Sequence, residues 1–202
     1  MSGAGVQFIF ITHPEVVIEP DIPVPQWRLS DIGRRRMEAL SSALAGTGAA
    51  AVWSSLERKA RDGAEILAQA LSLPHHHLAD LGENDRSSTG YIPQPEFGRI
   101  AEQFFANPTE SVLGWETALA AQSRIVSAIM TIATEADGAL QLVVSHGGVG
   151  RLLRAHLEGV SIGLETRPLH PGGGSCMAFQ GPPFQPVSPW LDIEQWVEQP
   201  PL

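Results

Sequence analysis

An apolar run between two helical patterns constrains the fold more than any other part of this chain. Residues Ala139 to Val144 are almost wholly apolar, which is typical of a strand buried on both faces of a parallel sheet. Apolar residues recur at three- and four-residue spacing from Trp115 to about Asp137 before the run, and from Val149 to Leu157 after it. That spacing indicates amphipathic helices. A helix, a buried strand and a second helix in this order predict an α/β fold.

The same alternation of strand and helix extends through the rest of the chain. Helical spacing begins after the N-cap candidate Ser30, at Ala60 and at Phe97. Short apolar or β-rich runs predict further strands at Val6 to Ile11, Ala49 to Trp53, His75 to Leu81 and Cys176 to Phe179. We therefore expect a single domain over residues 1–202, with a proline- and tryptophan-rich C-terminal extension over 181–202 that packs on its surface.

Charge and cysteine content narrow the partners and the location. Thirteen Lys and Arg oppose 22 Asp and Glu, which gives a net charge of −9. Such an acidic chain is a poor general ligand for nucleic acid or for an anionic membrane, so neither partner is expected. The lone Cys176 cannot form an internal disulfide, and neither a signal segment nor a run of about 18 apolar residues is found. These features predict a cytoplasmic protein and leave its oligomeric state open.

Two of the predicted strands end in a histidine, His13 and His146. Ligands bind at the carboxyl ends of strands in open α/β sheets, so the two rings could face one pocket. Each could instead cap its own strand with a hydrogen bond. The turn that begins at Gly147 opens a helix, and backbone N–H groups at such a junction can hold an anion such as phosphate. Arg58 follows a third strand end, where a guanidinium can bind two phosphate oxygens.

Three segments together resemble one protein family. They are Ser54-Ser55 with Arg58 three residues later, the segment Val143-Val144-Ser145-His146-Gly147-Gly148, and the strand that ends in His13, followed by Leu29-Ser30-Asp31-Ile32-Gly33-Arg34-Arg35. This combination is similar to the histidine phosphatase superfamily, the phosphoglycerate mutase-like enzymes, over about residues 6–180. The resemblance implies a three-layer, doubly wound α/β fold with a largely parallel sheet and helices on both faces.

The same resemblance implies a reaction and the residues that perform it. His13 would be the nucleophile that attacks phosphorus, and His146 would donate a hydrogen bond to the transferring phosphoryl group. Arg58 would neutralise charge on the phosphate oxygens. Glu83 would protonate the leaving oxygen and then activate water, with Asp85 as the fallback. The expected function is metal-independent hydrolysis of a small phosphorylated substrate, as in a histidine acid phosphatase-type phosphomonoesterase, through a phosphohistidine and without a cofactor.

The first motif departs from the family pattern. Where the family has Arg-His-Gly, this chain has Thr12-His13-Pro14, so a phosphate-binding arginine and a backbone N–H are both missing. Losing a charge-assisted donor to the transition state could cost on the order of 3 kcal/mol, unless another cation replaces it. Arg86 is the first candidate for that replacement, and Arg28 is a weaker one.

Two further interpretations stay open. A non-catalytic relative would keep the pocket and bind a phosphorylated ligand, but would have lost turnover together with the motif arginine. A phosphomutase ranks third, because no segment resembles the cap and the additional basic residues that would retain a phosphorylated intermediate.

Two runs of basic side chains are given no role in the reaction. His75, His76 and His77 lie on a predicted strand, whose side chains alternate between faces. At most two of them converge, so no metal site is predicted. The run Arg34 to Arg36 is interpreted as the solvated face of a helix.

Overall fold

The computed structural model describes residues 5–136, 138–163, 170 and 172–201. These described residues form a central sheet of seven strands. The strands are β1 (Val6–Thr12), β2 (Ala49–Ser54), β3 (His75–His77), β4 (Leu140–Ser145), β5 (Ser175–Gly181), β6 (Gln185–Pro186) and β7 (Leu191–Asp192). The helices are α1 (Asp31–Ala43), α2 (Arg58–Leu71), α3 (Glu96–Ala106), α4 (Ala118–Glu135), α5 (Gly147–Glu158) and α6 (Ile193–Glu198). Within these described ranges, no helix combines the length and the apolar character that a membrane crossing requires.

The sheet is parallel on one side and antiparallel on the other. Its strand order is β3-β2-β4-β1-β5-β6, and β7 also pairs with β5. Neighbours among β1 to β4 are parallel, whereas β5 runs antiparallel to β1. β1 and β4 lie side by side in the middle, with Thr12 opposite Ser145. The carboxyl ends of these two strands therefore bring His13 and His146 to the same edge of the sheet.

Alternate side chains of β1 pack into two separate cores. Phe8 and Phe10 are fully buried in the cluster that contains α3, α4 and α5. Ile9 and Ile11 are fully buried in the cluster that contains α1, α2 and α6. A strand sends neighbouring residues to opposite faces, so one apolar strand can serve both cores. Helices cover both faces of the sheet, and the predicted three-layer, doubly wound α/β fold with a largely parallel sheet is confirmed.

Helix ends follow the signals in the sequence. The Ser30 hydroxyl accepts a hydrogen bond from the Gly33 N–H at 3.0 Å and thereby caps α1. Gly159 ends α5 in the left-handed conformation, at a φ of 66°.

One strand is shorter than its sequence pattern predicts. The apolar and β-rich run from His75 to Leu81 forms a strand only over its first three residues, after which the chain turns into a short 3-10 helix over Ala79–Leu81. Leu81 is fully buried. Leu81 is therefore buried in the core although it lies in a turn. An apolar run alone does not show whether its residues are buried from a strand or from a turn.

The C-terminal extension contains more secondary structure than an extended tail. β6 and β7 pair with β5, and α6 packs against α1. Trp190 and Trp196 are 5% and 1% exposed. Trp190 joins the core on the α3 to α5 side of the sheet, and Trp196 joins the core on the other side. The extension thus contributes to both cores.

Candidate active site

His13 and His146 follow β1 and β4 directly, and their rings lie against each other. The His13 backbone N–H continues the sheet by donating to the Ser145 carbonyl at 3.0 Å. The ring centroids are 5.2 Å apart, with an angle of 71° between the ring planes. His146 is fully buried, and His13 lines a cavity of about 430 Å³. The two histidines that the strand ends predicted are therefore brought together.

The His13 ring is held in one tautomer by its own backbone segment. Its Nδ1 lies 2.9 Å from the Pro14 carbonyl oxygen. A carbonyl can only accept, so Nδ1 carries the hydrogen and Nε2 keeps its lone pair. Burial lowers the pKa of His13 to about 4, and the positive charge of Lys59 adds to the shift. The ring is neutral at pH 7, which is the form in which Nε2 is a nucleophile.

The His146 ring is held by a serine and a glutamate. Its Nε2 lies 2.7 Å from Ser55 Oγ and 3.3 Å from Glu57 Oε1. Burial lowers the pKa of His146 to about 3, although the Glu57 carboxylate opposes the shift. Its Nδ1 is buried and has no hydrogen-bond partner within the described residues. A buried, unpaired ring nitrogen is costly, and His146 itself is not among the residues that line the cavity.

The buried cation next to the histidines is Lys59, not Arg58. Lys59 is 3% exposed; its ammonium contacts the Glu57 carboxylate and donates to the Val24 carbonyl at 3.1 Å. Arg58, the first residue of α2, is exposed and does not line the cavity. Successive helical residues point about 100° apart, so the two side chains face different ways. Lys59 does not line the cavity either, so phosphate binding by Arg58 stays a prediction, and Lys59 is the buried cation whose charge acts on His13.

Glu57 connects several of these groups. Its Oε1 accepts a hydrogen bond from the Glu83 backbone N–H at 2.9 Å and lies near His146, while its Oε2 contacts Lys59. Burial would raise the pKa of Glu57, but the His146 and Lys59 contacts lower it to about 2. The side chain is therefore an ionised carboxylate beneath the two histidines. Nothing in the sequence distinguished it beyond its place two residues after Ser55.

Glu83 occupies the N-terminus of α5. The Gly148 and Val149 N–H groups donate to its Oε2 and Oε1, each at 3.0 Å. Helix N-termini hold anions in this way, so the carboxylate lies where the glycine turn was expected to hold phosphate. A Cβ at Gly148 would lie 2.5 Å from Glu83 Oε1, whereas a Cβ at Gly147 would meet nothing within 4 Å. Glu83 and Gly147 both line the cavity.

Arg86 lines the same cavity from the loop before α3. Its Cζ lies 4.8 Å from the Phe97 ring centroid and 6.0 Å from that of Trp115, distances at which a guanidinium is attracted to an aromatic face. The Arg86 charge also lowers the pKa of His13, by less than burial and Lys59 do. Arg86 is therefore a second cation close to the candidate nucleophile.

Three other residues singled out in the sequence bring no charge to the cavity. The Thr12 hydroxyl is buried and accepts from the Ser175 N–H at 2.9 Å. Asp85, the alternative acid, is exposed, accepts from the Ser87 N–H at 2.9 Å and does not line this cavity. Arg28 is also exposed and lies outside the cavity lining. Of the two candidate acids, Glu83 lines the cavity and Asp85 does not. Of the two candidate replacement arginines, Arg86 lines it and Arg28 does not.

Sequence patterns did not reveal two contributors to the cavity. Arg151 lies one turn after Gly147 on α5, and its Cζ is 3.8 Å from the Phe105 ring centroid. The four-residue spacing was the available signal, because such residues share a helix face. The second contributor is an aromatic wall, made of Phe97, Phe104, Phe105, Trp115 and Trp190. Trp190 comes from the C-terminal extension, so no local pattern could assign it to this cavity.

The three consecutive histidines lie on both faces of β3. His75 Nε2 and His77 Nδ1 lie 2.9 and 3.2 Å from Ser54 Oγ, while the His76 ring stacks near Trp53 on the other face. In the part of the chain that the structure describes, no three His, Cys, Asp or Glu side chains are grouped so that they could hold a metal ion.

Solved structures of several proteins share this fold. Bacillus stearothermophilus YhfR has a TM-score of 0.74 at 22% identity, over 87% of this chain and 91% of that one. Mycobacterial glucosyl-3-phosphoglycerate phosphatase in complex with VO3 also has a TM-score of 0.74, at 18% identity, over 93% of this chain and 97% of that one. A phosphoserine phosphatase variant from Entamoeba histolytica in complex with phosphoserine has a TM-score of 0.73 at 15% identity, over 94% and 98%. At these identities the likeness establishes a common fold.

Sequence comparison identifies the family. No curated protein matches this chain. The profile of the histidine phosphatase superfamily (branch 1) matches residues 18–185, a span that contains Glu83 and His146 and begins shortly after His13. Since this match covers most of the chain, the protein belongs to the histidine phosphatase superfamily, branch 1.

Proposed function

We propose that this protein hydrolyses phosphomonoesters through a phosphohistidine on His13. The observation that carries the proposal is the state of the His13 ring. Its Nδ1 is held by the Pro14 carbonyl, its Nε2 keeps a lone pair, and it lies against His146 in a cavity that Glu83 also lines. Membership of the histidine phosphatase superfamily supports the same chemistry.

In the first step, Nε2 of His13 attacks phosphorus and the bond to the leaving oxygen breaks. Glu83, in its protonated form, gives its proton to that oxygen. Lys59 and Arg86 offset the negative charge on the phosphoryl oxygens. His146 adds a hydrogen bond from Nδ1 in the tautomer in which the Ser55 hydroxyl donates to Nε2. The Glu57 carboxylate, 3.3 Å from Nε2, favours the other tautomer, so this donor requires Glu57 to pair with Lys59 and the Glu83 N–H instead.

In the second step, water attacks the phosphohistidine. The Glu83 carboxylate accepts a proton from that water, so the acid of the first step is the base of the second. The bond between phosphorus and His13 Nε2 breaks, inorganic phosphate leaves and the ring recovers its lone pair. Every proton is carried by a side chain of the cavity, so the scheme is proposed to be metal-independent.

The proposed substrate is a small phosphorylated molecule. A cavity of about 430 Å³ is within the usual size of small-molecule sites. Structures of the same fold carry names that point to such substrates, among them glucosyl-3-phosphoglycerate phosphatase, phosphoserine phosphatase and a putative alpha-ribazole-5'-P phosphatase.

Hydrolysis of p-nitrophenyl phosphate in the presence of EDTA tests the reaction. His13→Ala should abolish turnover, whereas His156→Ala, which changes an exposed histidine on α5, should not. Brief incubation with a ³²P-labelled ester should give an acid-labile, alkali-stable phosphoprotein with the unaltered chain and none with His13→Ala. Turnover that survives His13→Ala would remove His13 as the nucleophile.

A non-catalytic phospho-ligand receptor is the second candidate. It is favoured by Thr12, whose hydroxyl is engaged by Ser175 and which supplies no positive charge, and by Glu83, which already occupies two N–H groups of α5. This candidate expects binding of inorganic phosphate in calorimetry without turnover of any ester. The hydrolase proposal predicts both phosphate binding and turnover of an ester.

A further inference from the structure

We propose that the leaving group of the substrate is apolar, an aryl or extended alkyl group rather than a polyol or an amino acid. The inference rests on the proposed function, because it assigns the part of the ester beyond the phosphate. It is carried by the aromatic wall, which shares one cavity with His13 and Glu83. The polar end of that cavity is suited to the phosphate of the ester, and the aromatic wall is suited to an apolar leaving group.

One face of α3 supplies most of the wall. Phe97, Ala101, Phe104 and Phe105 all line the cavity, and their spacing places them on the same side of the helix. Phe104 and Phe105 are almost fully buried and also belong to the core, so they form a fixed backing. Phe97 and Ala101 are only partly buried. This face therefore presents carbon atoms to the cavity and no hydrogen-bonding side chain.

The tryptophans of the wall add little hydrogen-bonding capacity. Trp115 Nε1 already donates to Thr89 Oγ1 at 2.8 Å. Trp190 Nε1 is buried and has no partner within the described residues, so it leaves a single donor. Against the wall itself a polyol would lose the hydration of several hydroxyl groups and find only the Trp190 N–H, which is unfavourable; the unpaired Asn84 Nδ2 belongs to the rest of the lining. An apolar group loses no such hydration and gains from burial.

Two arginines connect the wall to the phosphate end. Arg86 lies over the Phe97 ring and Arg151 over the Phe105 ring, with Cζ 4.8 and 3.8 Å from the respective centroids. The Phe97 and Phe105 rings thus each contact a guanidinium group and also line the cavity. An anionic phosphate joined to an apolar group matches this arrangement better than a uniformly polar ester does.

Two ester series test the inference. In n-alkyl phosphates from ethyl to hexyl, kcat/KM should rise roughly threefold per methylene, on the order of 80-fold over the four added methylenes. Propyl phosphate and glycerol 3-phosphate have the same number of carbons, and propyl phosphate should be the better substrate. The corresponding n-alkylphosphonates, together with 2,3-dihydroxypropylphosphonate, report binding by calorimetry without any turnover.

A cavity-filling variant localises the effect. Ala101→Phe should reduce the ratio of kcat/KM for hexyl and ethyl phosphate at least fivefold, because the added ring occupies the space that the alkyl chain needs. Ala106→Phe places the same ring on the exposed side of α3, away from the cavity, and should leave that ratio unchanged. If Ala101→Phe fails to fold, Ala101→Leu fills less of the same space and should lower the ratio in the same direction.

The possible outcomes separate this inference from the proposed function. Turnover without a preference for chain length, or with a preference for glycerol 3-phosphate, would overturn the apolar leaving group and leave hydrolysis standing. Absence of turnover, with phosphonate binding that strengthens along the alkyl series, would overturn hydrolysis and support the apolar ligand. Phosphonate binding that ignores chain length overturns the inference whether or not esters are cleaved.

Discussion

Gly148 donates its backbone N–H to Glu83 Oε2 at 3.0 Å, and its missing side chain is what gives the carboxylate room. The Val149 N–H binds the other carboxylate oxygen, so the loop that carries Glu83 is tied to the start of α5 at two points. The candidate acid is thereby fixed at the same strand end as His146. Gly147, the glycine predicted to bind phosphate, lines the cavity, and its neighbour Gly148 is the one that accommodates the carboxylate.

Gly148→Ala should therefore displace Glu83. The new Cβ would lie 2.5 Å from Oε1, and losing a general acid costs 10²-fold or more when proton transfer is needed. We expect kcat for an alkyl phosphate to fall at least about tenfold, and that for p-nitrophenyl phosphate to fall less, because its leaving group needs less protonation. Gly147→Ala is the matched control, because a Cβ at this position meets nothing within 4 Å, and it should lose far less activity. Equal losses for both variants would contradict the role of Glu83.

The acidic limb of the pH–rate profile should report His13. Its pKa is lowered to about 4, so the nucleophile remains neutral above that pH and becomes protonated below it. We expect kcat/KM to fall with a midpoint near pH 4 instead of near the ordinary histidine value of about 6.5. Measuring kcat/KM for an alkyl phosphate from pH 3.5 to 8 would locate this midpoint.

Lys59→Met should move that limb toward neutral pH, since removing the positive charge raises the pKa of His13. Arg58→Met, which alters the exposed neighbouring residue, is the control and should leave the limb in place. A shift with Arg58→Met and none with Lys59→Met would make Arg58, not Lys59, the cation that lowers the pKa of His13.

The meeting of His13 and His146 was predictable because the positions of strand ends in a parallel sheet follow from the order of the strands. Each histidine directly follows an apolar run, and such runs are the clearest signal in the sequence. The cation was not predictable to the residue. Arg58 and Lys59 differ by one step of a helix, about 100° of rotation, and a motif spacing without atomic contacts does not fix which side chain faces inward.

Features assembled from distant segments were not predictable at all. The aromatic wall joins α3 to Trp115 and to Trp190, and only the folded chain brings them together. Arg36 is a similar case: helical spacing placed it on a solvated face with Arg34 and Arg35, yet it is 8% exposed. The C-terminal extension covers it, and an extension without a periodic pattern gives no sign of which surface it will cover.

Stability should fall as the pH is lowered from neutral. His146 is fully buried and its pKa is lowered to about 3, whereas the same residue protonates near pH 6.5 in the unfolded chain. Below pH 6.5 the unfolded state therefore binds a proton that the folded state does not, which removes ~1.4 kcal/mol of unfolding free energy per pH unit until about pH 3. His13, whose pKa is lowered to about 4, adds a loss of the same sign, so urea unfolding at pH 7, 6 and 5 would measure the combined slope and the variants below separate the share of His146.

His146→Gln should reduce that pH dependence while also lowering stability at pH 7, because the contact with Ser55 is altered. His156→Gln changes an exposed histidine in the last turn of α5 and should preserve the slope of the unaltered chain. A slope that His146→Gln does not change would mean that other groups account for the loss of stability in acid.

Arg36 ties the segment after His13 to the C-terminal extension. Its Nη1 donates to Glu15 Oε2 at 2.8 Å and to the Gly173 carbonyl at 3.0 Å. Its Nε and Nη2 donate to the two carboxylate oxygens of Glu194 on α6, at 2.7 and 2.9 Å. A lysine cannot reproduce this fork of donors.

Arg36→Ala should therefore lower the free energy of unfolding by about 2–4 kcal/mol, a figure reduced from that of a fully buried pair because Glu194 is half exposed. Arg36→Lys should recover only part of the loss, and Arg35→Ala, on the exposed side of α1, should cost less than about 0.5 kcal/mol. Urea denaturation of the three variants measures these differences. Because the His13 carbonyl accepts from the Gly174 N–H at 3.1 Å, loosening this corner should also lower kcat in the folded Arg36→Ala protein. Full stability in Arg36→Ala would show that the extension is held to the sheet by β6 and β7 and by its tryptophans instead.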